Sequence, residues 1–371
     1  MTTIRSVDAA TIRMPLEQPL DFGTWEIAHR EYCVVRITST DGDAGFGFGL
    51  TRDGSVDQIV ETAIRPLCVG QNGSDPAVLI ANCEARNRAL LGSGIGLRAL
   101  SLVEIALWDL RIRTTEETLE HHLGGEPIAL PAVAIIGYPP TASADAVARE
   151  AANLYGRGWR HFKIPVAATT ELTIERVQAV AASGGSLALD GAWSFRSVTE
   201  AADLLRRLEC PLAWFEDPFQ PGDVQSLTEL KQETDVRIGV GDEQGGPYFP
   251  DALLEAGVVD VLRLDATCIG GISRFRSMAL AASEAGLLVS PHMAPHLHAR
   301  VIAGLGLVDS PIEWGFPASG VEPLTDPWER PRLDNNGRMR PLADSLPAPR
   351  AMFSHLQPYI VRDLAGILQV R

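Results

Sequence analysis

The hydrophobic pattern changes character near residue 129. Before it the signals are mixed. Tyr32 to Ile37 (YCVVRI) alternates like a strand, and Asp41-Gly42 after it has the chemistry of a tight turn. Leu97 to Ile112 (LRALSLVEIALWDLRI) repeats its apolar positions at helical spacing, and Leu123-Gly124-Gly125 supplies a helix stop. Residues 1–128 therefore predict an α+β domain.

From residue 129 to about 340, short apolar runs alternate with helix-like segments. The runs at 130–137, 160–165, 186–190, 212–216, 237–242, 259–265, 286–292 and 310–314 predict strands. Segments such as 197–208 (SVTEAADLLRRL) and 272–284 (ISRFRSMALAASE) predict helices between them. Strands joined through helices pair in parallel, and eight such units close into a (β/α)8-type TIM barrel. A doubly wound open sheet would call for G-x-G-x-x-G after the first strand, and none is present. Residues 341–371 predict a tail that packs back on the first domain.

Composition narrows the function classes. A net charge of −15 disfavours nucleic acid and anionic membrane surfaces as partners. No apolar run reaches the length of a membrane helix, and the first residues lack a signal-peptide core. The five cysteines are scattered and form no C-x-x-C pair, which fits reduced thiols in a cytoplasmic protein.

The informative feature is where acids interrupt the strands. Asp190 ends the third predicted strand, Glu216 the fourth and Asp242 the fifth, at equal intervals of 26 residues. Equal intervals predict three carboxylates at one height on neighbouring strands, at the C-terminal mouth where barrel active sites form. A single strand-end acid is explained as readily by a helix cap or an ion pair. Three converging acids repel unless a cation holds them, and all-oxygen ligation suits Mg²⁺. Asp217 and Glu243 adjoin two of these acids. Alternation along a strand lets only one of each pair face the axis, and Glu243 stays open as a ligand at the strand edge. Asp265 and His292 end the sixth and seventh strands and can form a carboxylate–imidazole dyad. His296 and His298 are expected on the following helix, facing away from the mouth. Glu313 ends the eighth strand, where a protonated carboxyl would hydrogen-bond a substrate. Lys163 ends the second, where a positive charge would stabilise a developing enediolate or pair with a ligand carboxylate.

With these residues in place, the chain resembles the enolase superfamily, in particular its mandelate racemase-like subgroup. The resembling stretches are ALWDL (106–110), HLGG (122–125), FKIP (162–165), LALDGAW (187–193), WFEDP (214–218), VGDEQ (240–244), RLDATCIGG (263–271) and SPHM (290–293). The resemblance implies the (β/α)7β variant of the barrel, capped by the N-terminal region together with the C-terminal tail. It implies Asp190, Glu216 and Asp242 as ligands of one Mg²⁺, Asp265 and His292 as the general-base dyad, and Glu313 as a substrate contact. It also implies a specificity loop near residues 17–31, with Phe22, Trp25, His29 and Arg30 as candidate substrate contacts, and a homo-oligomer, dimer or octamer. Two positions depart from the family pattern. Pro165 stands where the second lysine of K-x-K is usual, and Ala192 where an Asn is common.

The chemistry these residues predict is removal of the proton α to a carboxylate, through an enediolate. With one clear base, dehydration of a sugar acid to a 2-keto-3-deoxy acid is the leading expectation. A racemase or epimerase using Lys163 as second base is the first alternative. A family member that binds metal and acid without turnover is the second.

Overall fold

The computed structural model describes residues 2–21, 26–115, 117–246, 248–316, 319–325, 332–340 and 356–368. Phe22 and Trp25 lie outside the described residues. Three antiparallel strands open the chain: β1 (Ile4–Asp21), β2 (Glu26–Ser39) and β3 (Ala44–Leu50). The Tyr32–Ile37 run lies inside β2, and Asp41-Gly42 turns the chain into β3 with Gly42 at φ +98°.

The sequence of β3, AGFGFGL, puts glycine at every second position, so one face of the strand carries no side chains. The helix Gly94–Thr115 lies on that face. A Cβ at Gly45 would fall 2.3 Å from the Ala106 carbonyl oxygen, and one at Gly47 2.3 Å from that of Leu102. The glycines let helix and strand backbones touch. Buried without a break from Gly96 to Leu110, the helix has apolar residues on every side, not in one stripe.

Eight parallel strands follow: β4 (Leu130–Ile135), β5 (His161–Pro165), β6 (Ser186–Asp190), β7 (Trp214–Glu216), β8 (Ile238–Val240), β9 (Val261–Leu264), β10 (Leu288–Pro291) and β11 (Ile312–Gly315). They coincide with the predicted runs apart from trimmed or shifted ends. The ladder runs β10-β9-β8-β7-β6-β5-β4-β11, and β10 and β11 come side by side to complete the ring. An α-helix follows each of the first seven strands. After β11 the described residues hold only a 3₁₀ turn, Pro323–Thr325. Val133, Ala188, Trp214 and Val261 pack together inside the barrel beneath the strand ends, so the interior is a filled core and the mouth is its open end.

Two short strands complete the sheets. β12 (Arg338–Met339) pairs antiparallel with β4, and β13 (Ile360–Arg362) pairs antiparallel with β1. Arg362 also reaches Asp57 at 2.7 Å and Glu61 at 2.6 Å. The N-terminal sheet thus takes its fourth strand from the far end of the chain. Among the described residues no helix is long and apolar enough to cross a membrane.

Candidate active site

Asp190 and Glu216 end adjacent strands and stand opposite one another in the β6–β7 ladder. Asp242 does not share their height. Gly239 is the residue opposite Glu216, and Asp242 lies past Val240, the last residue of β8. The equal sequence intervals therefore overstate the symmetry, and a turn makes up the difference. Gly241 at φ +133° and Glu243 at φ +53° bend the chain. Asp217 secures the bend by accepting from the Gly241 and Asp242 N–H groups at 3.1 and 3.0 Å and from the Gln244 amide at 3.2 Å. One carboxylate oxygen from each of Asp190, Glu216 and Asp242 then lies within 4.8 Å of the other two. At Ala192 the backbone N–H does the orienting, donating to Asp190 Oδ1 at 2.9 Å.

Lys163 of β5 projects into this cluster. Its Nζ lies 2.6 Å from Glu216 Oε1, 3.5 Å from Asp190 Oδ2, 3.9 Å from Asp242 Oδ2 and 2.5 Å from Glu313 Oε1. An ammonium at the focus of four buried carboxylates marks the place and the sign of the charge they are arranged around. Three all-oxygen donors at this spacing fit a hard divalent cation such as Mg²⁺. Burial pushes the Asp190 and Asp242 carboxyls above the usual range, Asp242 to about 6 with Glu216 adding to the effect.

Arg263 is the residue that sequence reasoning missed. It sits in the middle of β9 with no exposed surface. Its Nε lies 3.0 Å from Glu216 and 3.1 Å from Asp242, and its remaining nitrogens reach Glu313 at 2.5 Å and the Ser290 hydroxyl at 2.6 Å. The signal was present: an arginine inside the apolar run VLRL, two residues before Asp265 and so on the same strand face.

The dyad is assembled. His292 Nδ1 lies 3.1 Å from Asp265 Oδ2, and Nε2 lies 3.7 Å from Asp242 Oδ2. Asp265 is held in turn by the Thr267 N–H at 2.8 Å and the Thr267 hydroxyl at 2.7 Å. Burial alone would lower the imidazole, but Asp242 and then Asp265 push it up to about 9. With Nδ1 facing Asp265, Nε2 is the nitrogen left for chemistry.

Three expectations need correction or closure. Glu313 was given a proton to donate. Despite full burial, Arg263 and Lys163 hold it well below the ordinary carboxylate range, and it also accepts from the Met293 N–H at 2.8 Å. In this arrangement it is an ionised acceptor. Glu243, left open as a ligand, is taken up by two arginines: Arg52 Nε at 2.8 Å and Arg98 at 2.8 Å. His296 and His298 do lie on the next helix, Pro295–Gly304, but His298 does not face away. Its Nε2 accepts from the Ala266 N–H at 3.0 Å and its Nδ1 donates to the Met293 carbonyl at 2.7 Å, tying together the chain just beyond Asp265 and His292. His296 stacks on Phe48 of β3 with centroids 4.7 Å apart.

The mouth opens into a cavity of about 470 Å³ between the barrel and β2. Lys163, Asp190, Asp242 and His292 line its floor, and Ile27, His29, Arg30 and Arg52 its capping side. His29 pairs with Asp53 at 2.8 Å, while Arg30 is buried on the wall.

The comparisons agree with this architecture. Residues 2–124 match the family model "Mandelate racemase / muconate lactonizing enzyme, N-terminal domain", and residues 146–331 match "Enolase C-terminal domain-like". Among curated relatives, D-galactarolactone cycloisomerase of Agrobacterium fabrum is 25% identical over 299 residues, covering 78% of each chain. Arabinonate dehydratase of Saccharolobus solfataricus is 25% identical over 293 residues, 77% of this chain and 76% of the relative. Among solved structures, a racemase from Streptomyces coelicolor A3(2) with bound magnesium superposes with a TM-score of 0.83 at 22% identity, covering 96% of this chain and 100% of the other. Matched over both of its domains, the chain belongs to the mandelate racemase/muconate lactonizing enzyme family of the enolase superfamily.

Proposed function

We propose that this protein removes the α-proton of a carboxylic acid and, in the same site, expels a β-hydroxyl, converting a sugar acid to its 2-keto-3-deoxy acid. The observation that carries the reading is the pairing of one acid–base group, His292 on Asp265, with a three-carboxylate cluster 3.7 Å away at Asp242.

Asp190, Glu216 and Asp242 would hold one Mg²⁺. Bound there, the ion supplies positive charge beside the substrate carboxylate and so makes its α-hydrogen acidic. His292 Nε2 takes that hydrogen. Asp265 keeps the proton of Nδ1 in place and stabilises the imidazolium as it forms. The ring then returns the proton to the departing hydroxyl, which leaves as water, and the enol left behind becomes the 2-keto acid. Lys163 and Arg263 meanwhile hold Glu313 as a fixed, buried anion. The similarity to dehydratases that act on sugar acids supports this reaction class.

A racemase would need a second acid–base group on the opposite face. Pro165 cannot provide one. Lys163 is engaged as a counter-ion, with Glu216 at 2.6 Å and Glu313 at 2.5 Å. The test is a sugar-acid library incubated with Mg²⁺ and assayed for keto acids. At least one acid should be converted, and His292→Asn should abolish the conversion. A protein that fills its metal site and converts none of the acids would overturn the proposal.

A further inference from the structure

The capping wall of the cavity carries a charge that nothing in the proposed reaction uses. Arg30, near the start of β2, is 9% exposed and lines the cavity with His292 and Lys163. Its Nε donates to the Gly320 carbonyl at 3.1 Å. Among the described residues no carboxylate lies within ion-pair distance of its guanidinium, and its two terminal nitrogens make no hydrogen bond. They are also not sealed from the cavity. Glu322, which accepts from the Tyr32 hydroxyl, acts on Arg30 from beyond ion-pair distance.

A second positive charge stands close by. Arg52 and Arg98 share the carboxylate of Glu243, with Asp242 and Asp265 acting on Arg52 from further off. Burial, and after it the like charge of Arg52, push the Arg30 guanidinium below its usual value. A buried cation beside a like charge is stabilised by any further negative charge that a ligand brings. A planar guanidinium with both terminal nitrogens open presents the two-pronged face that a carboxylate fits.

We infer that Arg30 seats a second carboxylate, so that the substrate is a dicarboxylic sugar acid with one end at the metal cluster and the other on the capping wall. The inference rests on the proposed function for the first end only. Arg30 is a specificity-determining residue here, not a participant in proton transfer.

The experiment compares ligands of equal length that differ only at the far terminus: carboxylate, hydroxymethyl or phosphate. Calorimetry on the full Mg²⁺-loaded chain gives affinities that need no turnover. Keto-acid formation gives kcat/KM for those that react. Wild type should favour the dicarboxylate by at least about tenfold in affinity. Arg30→Met should erase that preference, and Arg30→Lys should restore part of it. Equal affinity for the dicarboxylate and the hydroxymethyl acid in wild type would overturn the inference without need of any variant. A preference for the phosphate-terminated acid would overturn it too, as would a dicarboxylate preference that survives Arg30→Met. Failure of the dehydration reading shows differently: the dicarboxylate binds and is not converted.

Discussion

At the residue scale the site is a charge lattice: four acids (Asp190, Glu216, Asp242, Glu313) held around two cations (Lys163, Arg263) with almost no solvent. Removing one cation leaves carboxylates buried and unpaired, a loss of about 3–5 kcal/mol in comparable cases. Arg263→Met should therefore unfold at clearly lower urea than wild type. Added Mg²⁺ should stabilise the variant more than it stabilises wild type, because the ion replaces part of the missing charge. Equal stabilisation of both by Mg²⁺ would count against the lattice. The acids were legible in sequence because each breaks an apolar strand at its end. Arg263 left a signal, a cation in mid-strand, but its partners became readable only once the barrel closed around it. The state of Glu313 was equally hidden, since it depends on Arg263.

At the element scale, two connections decide whether the site is well made. The first is the turn after β8. The three hydrogen bonds that Asp217 accepts place Asp242. Asp217→Asn should weaken Mg²⁺ binding by 10- to 100-fold, the usual cost of losing a residue that orients a ligand, with the fold intact by circular dichroism. Unchanged affinity would remove Asp217 from the metal site. The second is the seam between capping helix and barrel. Glu104 accepts from the Ile272 N–H at 2.7 Å, the Ser273 N–H at 3.1 Å and the Trp108 indole at 2.8 Å, so it caps the helix that follows β9. Burial raises its carboxyl from 4.5 to about 7. The folded chain thus binds this proton more tightly than the unfolded chain. The contribution is full below about pH 4.5 and is lost as pH rises through about 7, on the order of 3 kcal/mol in all. Urea midpoints of wild type should fall across that window relative to those of Glu104→Gln. Parallel curves would contradict the assignment. Strand and helix identities in the barrel were readable because each short apolar run is bounded by polar turns. The offset of Asp242 was not, because equal sequence intervals carry no information about ladder register.

At the scale of the whole molecule, the barrel supplies the chemistry and the N-terminal sheet supplies the wall that faces it. The start of the parallel strands at Leu130 was visible as a change of hydrophobic period. The contribution of the C-terminal residues Ile360–Arg362 to the N-terminal sheet rests on pairing across the full length of the chain, which no local pattern encodes. Chelation should reach both levels. Removing divalent ions with EDTA should abolish any keto-acid formation while leaving the fold largely in place, since Lys163 remains to offset the acids. A cooperative loss of structure on chelation would show that the ion is structural.

The most direct measurement is proton NMR of a converted sugar acid in deuterated water with Mg²⁺ present, for wild type and His292→Asn. Wild type should erase the α-proton signal and place solvent deuterium at C3 of the 2-keto-3-deoxy product, and the variant should leave the α-proton untouched. Loss of the α-proton at the same rate in His292→Asn would contradict the assignment of His292 as the base.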